Sequence, residues 1–274
     1  MGCAASAPIT IAKDCCLLLQ SALISAVRVT VTAPAPLRAL LIAAPLLVLA
    51  SPALAAPGLG DEVYGATYQK GTSEFEARYG ALNGGWDSGE EALKLEAAHV
   101  PLKNLRVAAQ VEIEREPGGQ RHVTEASVEV VYTLGRAAGI DFAVYGEYAK
   151  GFRGGPDALE AKLILERRSG PFDARLNLVA ERPLVSGERI ALSYAASADM
   201  QVVGDVRAGV AAFGDLGTFH RFAPRAEHFL GPIVKGEVEA LGPELEIEAG
   251  YLFPLAAARD NSRGQFRLIV SLEF

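Results

Sequence analysis

The sequence predicts an all-β chain whose body closes into an antiparallel, up-and-down transmembrane β-barrel of about twelve strands. Three observations predict it. From Ser73 to Phe274 apolar and polar residues alternate with period two, the signature of strands with two different faces. One set in that alternation is almost free of charge: across five segments (105–114, 159–168, 172–181, 244–255, 266–274) its 26 positions hold one charged residue, Arg167 at a strand end, while 15 of the 25 opposite positions are charged. The runs are also long. About eleven residues at ~3.3 Å each, tilted ~40°, cross the ~25 Å apolar band of a membrane barrel, whereas soluble strands cluster near five or six residues. An exported soluble sandwich is the rival fold, and run length argues against it.

The alternation is explicit in the residues. Leu105, Val107, Ala109, Val111 and Ile113 oppose Arg106, Gln110, Glu112 and Glu114. Leu159, Leu163 and Leu165 oppose Glu160, Lys162, Glu166 and Arg168; Phe172, Leu176 and Leu178 oppose Asp173, Arg175 and Glu181. Leu245, Ile247, Tyr251 and Phe253 oppose Glu244, Glu246 and Glu248; Phe266, Leu268, Val270, Leu272 and Phe274 oppose Arg267 and Glu273. A helix would mix these sets, because residues two apart fall on opposite sides. In lipid every backbone N–H and C=O must be paired, so such a sheet must close. An arginine on the lipid side costs roughly 2–4 kcal/mol at the midplane, which accounts for a face without charge except at a strand end.

Turn residues divide the body into strands at 73–82, 90–99, 104–114, 122–134, 139–150, 157–168, 171–181, 188–198, 201–213, 228–240, 243–255 and 264–274, with fourteen strands as the alternative count. Compact turns at Ser169-Gly170, Asp199-Met200, Leu241-Gly242 and 135–138 alternate with bulkier connections at 83–86, 117–119, 151–156, 214–227 and 256–263. Membrane barrels alternate short turns and long loops in this way. Twelve strands put both ends of the wall on the short-turn side. Tyr132, Phe142, Phe172 and Phe274 fall near one rim of the apolar face and Tyr79, Tyr148, Phe253 and Phe266 near the other, as two interfacial belts require.

The chain has 274 residues with 26 Lys+Arg against 33 Asp+Glu, a net charge of −7 that argues against nucleic acid as a partner. Residues 1–55 read as a leader. Positions 39–57 carry no charge, follow Arg38, and contain Ala53-Leu54-Ala55, a small-x-small pattern that places signal-peptide cleavage after Ala55. Pro45 and Pro52 disfavour a membrane helix there. Residues 1–35 precede a complete signal and are explained by a start codon assigned too early; Met1-Gly2-Cys3 superficially matches a myristoylation site. Cys3, Cys15 and Cys16 all lie in the leader, so the processed chain holds no cysteine, and its net charge becomes −9. Residues 56–72 break the strand parity and are expected as a periplasmic segment or a strand extension, with 73–274 forming the barrel.

The last residues, Phe266 to Phe274, end in phenylalanine with apolar residues at every second position before it. They resemble the C-terminal insertion signal of Gram-negative outer-membrane β-barrel proteins. Residues 226–232 and 248–253 resemble porin-like transporter barrels. The resemblance implies export to the cell outer membrane, contact with its lipid, and recognition of Phe274 by the barrel-assembly machinery, with small solutes as the partners of the lumen.

No catalytic, cofactor or metal motif stands out. The four histidines, His99, His122, His220 and His228, lack a recognisable Ser/Asp pattern, so a barrel lipid hydrolase is a lesser alternative. The loop 214–227 gathers Asp215, His220, Arg221, Arg225 and Glu227 at loose spacing, which reads as a solvated loop rather than a metal site. The candidate functional region is the lumen. Its expected lining comprises Arg106, Glu112, Glu129, Glu147, Glu160, Lys162, Glu166, Arg168, Asp173, Arg175, Arg207, Lys235, Glu237, Glu246, Glu248 and Arg267, with Glu74 beside them. Two expectations compete: a narrow aqueous path selected by width and field, or charges that pair and fill the interior of a structural or interaction barrel. The first, a passive channel, is the leading one.

Overall fold

A computed structural model describes residues 56–238 and 243–274. The expected leader and the Leu241-Gly242 turn therefore lie outside the described residues.

Twelve long antiparallel strands build the wall. They are β1 (Ser73–Gly85), β2 (Glu91–Leu102), β3 (Leu105–Arg115), β4 (His122–Ala137), β5 (Ile140–Gly151), β6 (Ala158–Ser169), β7 (Phe172–Pro183), β8 (Ala191–Val203), β9 (Val206–Thr218), β11 (Glu227–Val238), β12 (Glu244–Ala256) and β13 (Ser262–Glu273). A two-residue strand, β10 (Arg221–Phe222), folds back on β9 within the long loop. Each wall strand pairs with its neighbours, and β1 pairs with β13, with Tyr79 opposite Leu268, so the sheet closes. Ser73 and Phe274 seal the seam by exchanging backbone hydrogen bonds of 2.8 and 2.9 Å. The wall thus has twelve strands, not fourteen.

One boundary moves. The turn expected at Asp199-Met200 falls instead at Gly204-Asp205, where Gly204 has a φ of 52° and its carbonyl accepts from Gln201 Nε2 at 2.6 Å. Asp199 stays in the strand opposite Gly209, because its carboxylate is taken by Arg207 and Lys235 on the inner face.

The wall is inverted relative to a soluble barrel. Val128, Leu163, Leu178 and Phe253 stand exposed on the outside, while Arg106, Glu129, Glu166 and Arg267 are buried inside. Tyr132, Phe172 and Phe274 are exposed toward the short-turn rim, and Tyr148, Phe253 and Phe266 toward the long-loop rim. Among the described residues no helix is long and apolar enough to cross a membrane. Among the described residues one helical turn, Ala258–Asn261, lies in the β12–β13 loop.

Candidate functional site in the lumen

Residues 56–72 lie inside the barrel. This corrects the expectation of a periplasmic segment. The segment enters beside Glu90 in the β1–β2 loop, descends the lumen, and reaches the short-turn rim at Thr72, where β1 begins. Alternation alone could not reveal this, because the segment is rich in glycine and makes no ladder of its own.

Its upper part packs against apolar side chains that point inward from the wall. Ala56 and Leu59 join Leu82, Ala92, Phe213, Phe229, Ile233 and Leu252 in one buried cluster. Close approach needs glycine on both sides. A Cβ on Gly80 of β1 would sit 2.6 Å from the Gly60 nitrogen, and Gly58, at a φ of 80°, would clash with the Phe213 ring.

Below this cluster the segment's backbone is satisfied by wall side chains. Arg267 donates to the Asp61 carbonyl at 3.0 Å. Asn177 accepts from the Tyr64 nitrogen at 2.7 Å and donates to the Tyr64 carbonyl at 3.0 Å, as a neighbouring strand would. Glu166 accepts from the Ala66 nitrogen at 2.9 Å, and Thr133 donates to the Ala66 carbonyl at 2.7 Å. Buried backbone groups left unpaired would oppose this placement, so these side chains are what allow irregular chain to sit in the lumen.

Tyr64 occupies the middle. Its ring lies 5.0 Å from that of Tyr145, and the Lys162 ammonium sits 4.3 Å from the Tyr64 centroid and 4.2 Å from the Tyr145 centroid. The hydroxyl donates to Glu129 at 2.9 Å and accepts from Arg78 at 3.2 Å. Arg106 crosses from β3 to bond Glu129 at 2.6 Å, Glu74 at 3.2 Å, and Glu96. Lys94 holds Asp61 at 2.8 Å.

Every residue expected to line the lumen lies on an inward-facing position. Arg106, Glu129, Glu166, Asp173, Lys235, Glu248 and Arg267 are buried; Glu112, Glu147, Glu160, Lys162, Arg175 and Arg207 are half-buried; Arg168, Glu237 and Glu246 are exposed near the short-turn rim. The structure adds residues the sequence reasoning missed: Arg78, Lys94, Glu96, Glu125, Asn177, Glu181 and Asp199, besides the segment itself. Strand parity puts Arg78, Glu125, Asn177 and Glu181 on the face of a named residue of their own strand, whereas β2 and β8 held no named residue and Asp199 read as a turn.

The charges are not evenly spread. Each strand pair from β3 to β7 sets glutamate against glutamate on the inner face: Glu112 opposite Glu125, Glu129 opposite Glu147, Glu147 opposite Glu160, and Glu160 opposite Glu181. Directly opposed like charges are destabilising. Lys94 reaches Glu112 at 3.6 Å, Lys162 reaches Glu160 at 2.9 Å and Arg106 takes Glu129, so the arc holds more carboxyl groups than basic groups to match them.

A different acidic trio, Glu62, Glu76 and Glu96, converges closely enough to hold a metal ion. Arg78 stands among them at 3.1, 3.3 and 2.8 Å, so the guanidinium already supplies the positive charge there. On the outer side, Ser73 Oγ lies 3.0 Å from His99 Nδ1, a pairing across β1 and β2 that the sequence reasoning did not anticipate. Among the described residues no third group bonds the other ring nitrogen, as an oriented catalytic base would need. At the short-turn rim the tail of the segment borders a recess of about 750 Å³ lined by Gln69, Lys70, Thr72, Glu244 and Glu273.

The chain resembles solved membrane barrels. It shares 13% identity with a KdgM porin, at a TM-score of 0.49, covering 73% of this chain and 99% of that one. A NanC porin matches at 12% identity and a TM-score of 0.49, covering 72% and 98%. OmpT, an outer membrane protein of Vibrio cholerae, matches at 9% identity and a TM-score of 0.36, covering 78% and 100%. The likeness is one of fold. No family model and no curated protein sequence matches the chain.

Proposed function

We propose that the protein is a porin-like channel of a Gram-negative outer membrane that passes small solutes passively, narrowed by its own residues 56–72. The observation that carries this reading is the inverted wall: an apolar outer band, with charge only toward its rims, around an interior lined by ionisable side chains. An inert filler would not need so many. Width and field set selectivity in such a path. The segment supplies the narrow width, and the arc of opposed glutamates on β3–β7 supplies a field that favours small cations over anions. Export through the cleaved leader, lipid around the wall, and recognition of Phe274 by the barrel-assembly machinery complete the reading.

Planar-bilayer recording tests it. Purified, folded protein should give small, cation-preferring steps. A silent membrane under all voltages and salts would overturn the channel and leave the second reading, a structural barrel filled by its N-terminal segment. That second reading is favoured by one specific observation: Tyr64 contacts β1, β4, β5 and β7 at once.

A further inference from the structure

The top of the inner segment meets an unusual neighbour. The Ala56 backbone nitrogen donates to Glu90 Oε1 at 3.2 Å, inside an apolar cluster that leaves Ala56 only 7% exposed. Glu90 has Asp87, Glu114 and Glu227 as acidic neighbours, and among the described residues no lysine or arginine is paired with it. Burial, with the repulsion of those neighbours, pushes the Glu90 carboxyl up to about 7. One amide N–H is a weak partner for a carboxylate in such a place. A positive charge with three donors would suit it better. The sequence supplies one at this atom, because the small-x-small pattern Ala53-Leu54-Ala55 ends at the bond to Ala56.

We propose that an envelope signal peptidase cuts between Ala55 and Ala56 and that the α-ammonium so created docks on Glu90, locking the top of the segment inside the barrel. The cut is a hydrolysis. The C–N bond breaks, water gives its hydroxyl to the Ala55 carbonyl and a proton to the Ala56 nitrogen, and the amine takes a second proton from solvent. The part-buried ion pair then anchors an irregular segment at its N-terminal end, the end farthest along the chain from β1. Nothing in this depends on whether the lumen conducts.

The test uses protein recovered from the outer membrane. Intact mass and N-terminal sequencing should show a chain beginning at Ala56 with a free amine; another start or a blocked terminus overturns the proposal. The folded protein is then treated at pH 7 with an amine-acylating ester, and modification of Ala56 is followed by mass spectrometry. An ion pair that raises the amine pKa by one unit lowers its reactive free base about tenfold, so Glu90→Gln should react about tenfold faster than the parent. Equal rates overturn the docking. Inserting one glycine before Ala56 moves the amine off Glu90 while keeping the wall intact, and should give the same rise. Heat-modifiable gel migration checks that each variant is folded, and the glycine insertion decides the matter if Glu90→Gln is not.

Discussion

Tyr64 of the inner segment donates its hydroxyl to Glu129 of β4 at 2.9 Å, deep in the lumen and far from either rim. Tyr145 donates to the same carboxylate oxygen at 2.7 Å. The segment is therefore held at the middle of the barrel by its side chain as well as by Asn177 on its backbone.

If Tyr64 sets the narrowest point, Tyr64→Ala should raise single-channel conductance by about twofold or more, because pore width governs passage. Asn177→Ala should add longer openings by freeing the backbone bonds. Conductance identical to the parent in both variants would remove Tyr64 from the constriction.

Selectivity should follow the arc. Replacing Glu125, Glu147 and Glu181 together with glutamine removes three of its carboxylates while leaving those nearest Arg106, Lys94 and Lys162. The reversal potential in a potassium chloride gradient should then move toward zero. An unchanged potential would mean that ions do not pass along β3–β7.

Arg106, like Arg78, is a buried charge shared by three carboxylates. It serves Glu74, Glu96 and Glu129, and its side chain is 4% exposed. Arg106→Met strands those carboxylates and should cost about 3–5 kcal/mol in urea unfolding from lipid vesicles. Arg168→Met, at the rim with its side chain 52% exposed, should cost about 0–1 kcal/mol in the same assay.

The outer face makes the opposite demand. Leu163 lies mid-strand on β6 and is 40% exposed. Leu163→Arg should destabilise the barrel in bilayers by about 2–4 kcal/mol, whereas Glu160→Gln on the inner face should be much milder. Equal effects would mean that the exposed leucines do not face hydrocarbon.

Glu90 gives a pH dependence whose sign depends on processing. With an uncharged Ala56 nitrogen its carboxyl sits at about 7, above the ordinary value of 4.5. A carboxyl raised on folding contributes stability that is full below 4.5 and is lost as pH rises toward 7. A chain retaining residue 55 should therefore release its segment to added protease more readily at pH 8 than at pH 5. In the cleaved chain the ammonium needs the carboxylate, so release should grow as pH falls through the lowered Glu90 value.

Much of the wall was legible because a membrane barrel must satisfy one rule at every second residue. Charge is excluded from the lipid side at a cost of kcal/mol per violation, so Leu163 and Glu160, or Val107 and Arg106, announce their sides without any tertiary information. Strand ends were legible where glycine marks the turn, and failed at β8, where Asp199 reads as a turn residue but is claimed by Arg207 and Lys235 from a neighbouring strand. Pairings such as Ser73 with His99 depend on register between strands, which local pattern does not carry.

The sequence by itself determined the two-faced strands, the need for the sheet to close and which face is ionic, because those follow from period two and the cost of charge in hydrocarbon; the count of twelve rather than fourteen came from the pairing of β1 with β13. Only the tertiary structure decided what fills the lumen. Residues 56–72 have no periodicity to betray them; their place is set by partners a hundred or more residues away, Asn177 and Glu166 for the backbone and Phe213 for Gly58, and such long-range pairing exists only once the barrel has closed around them.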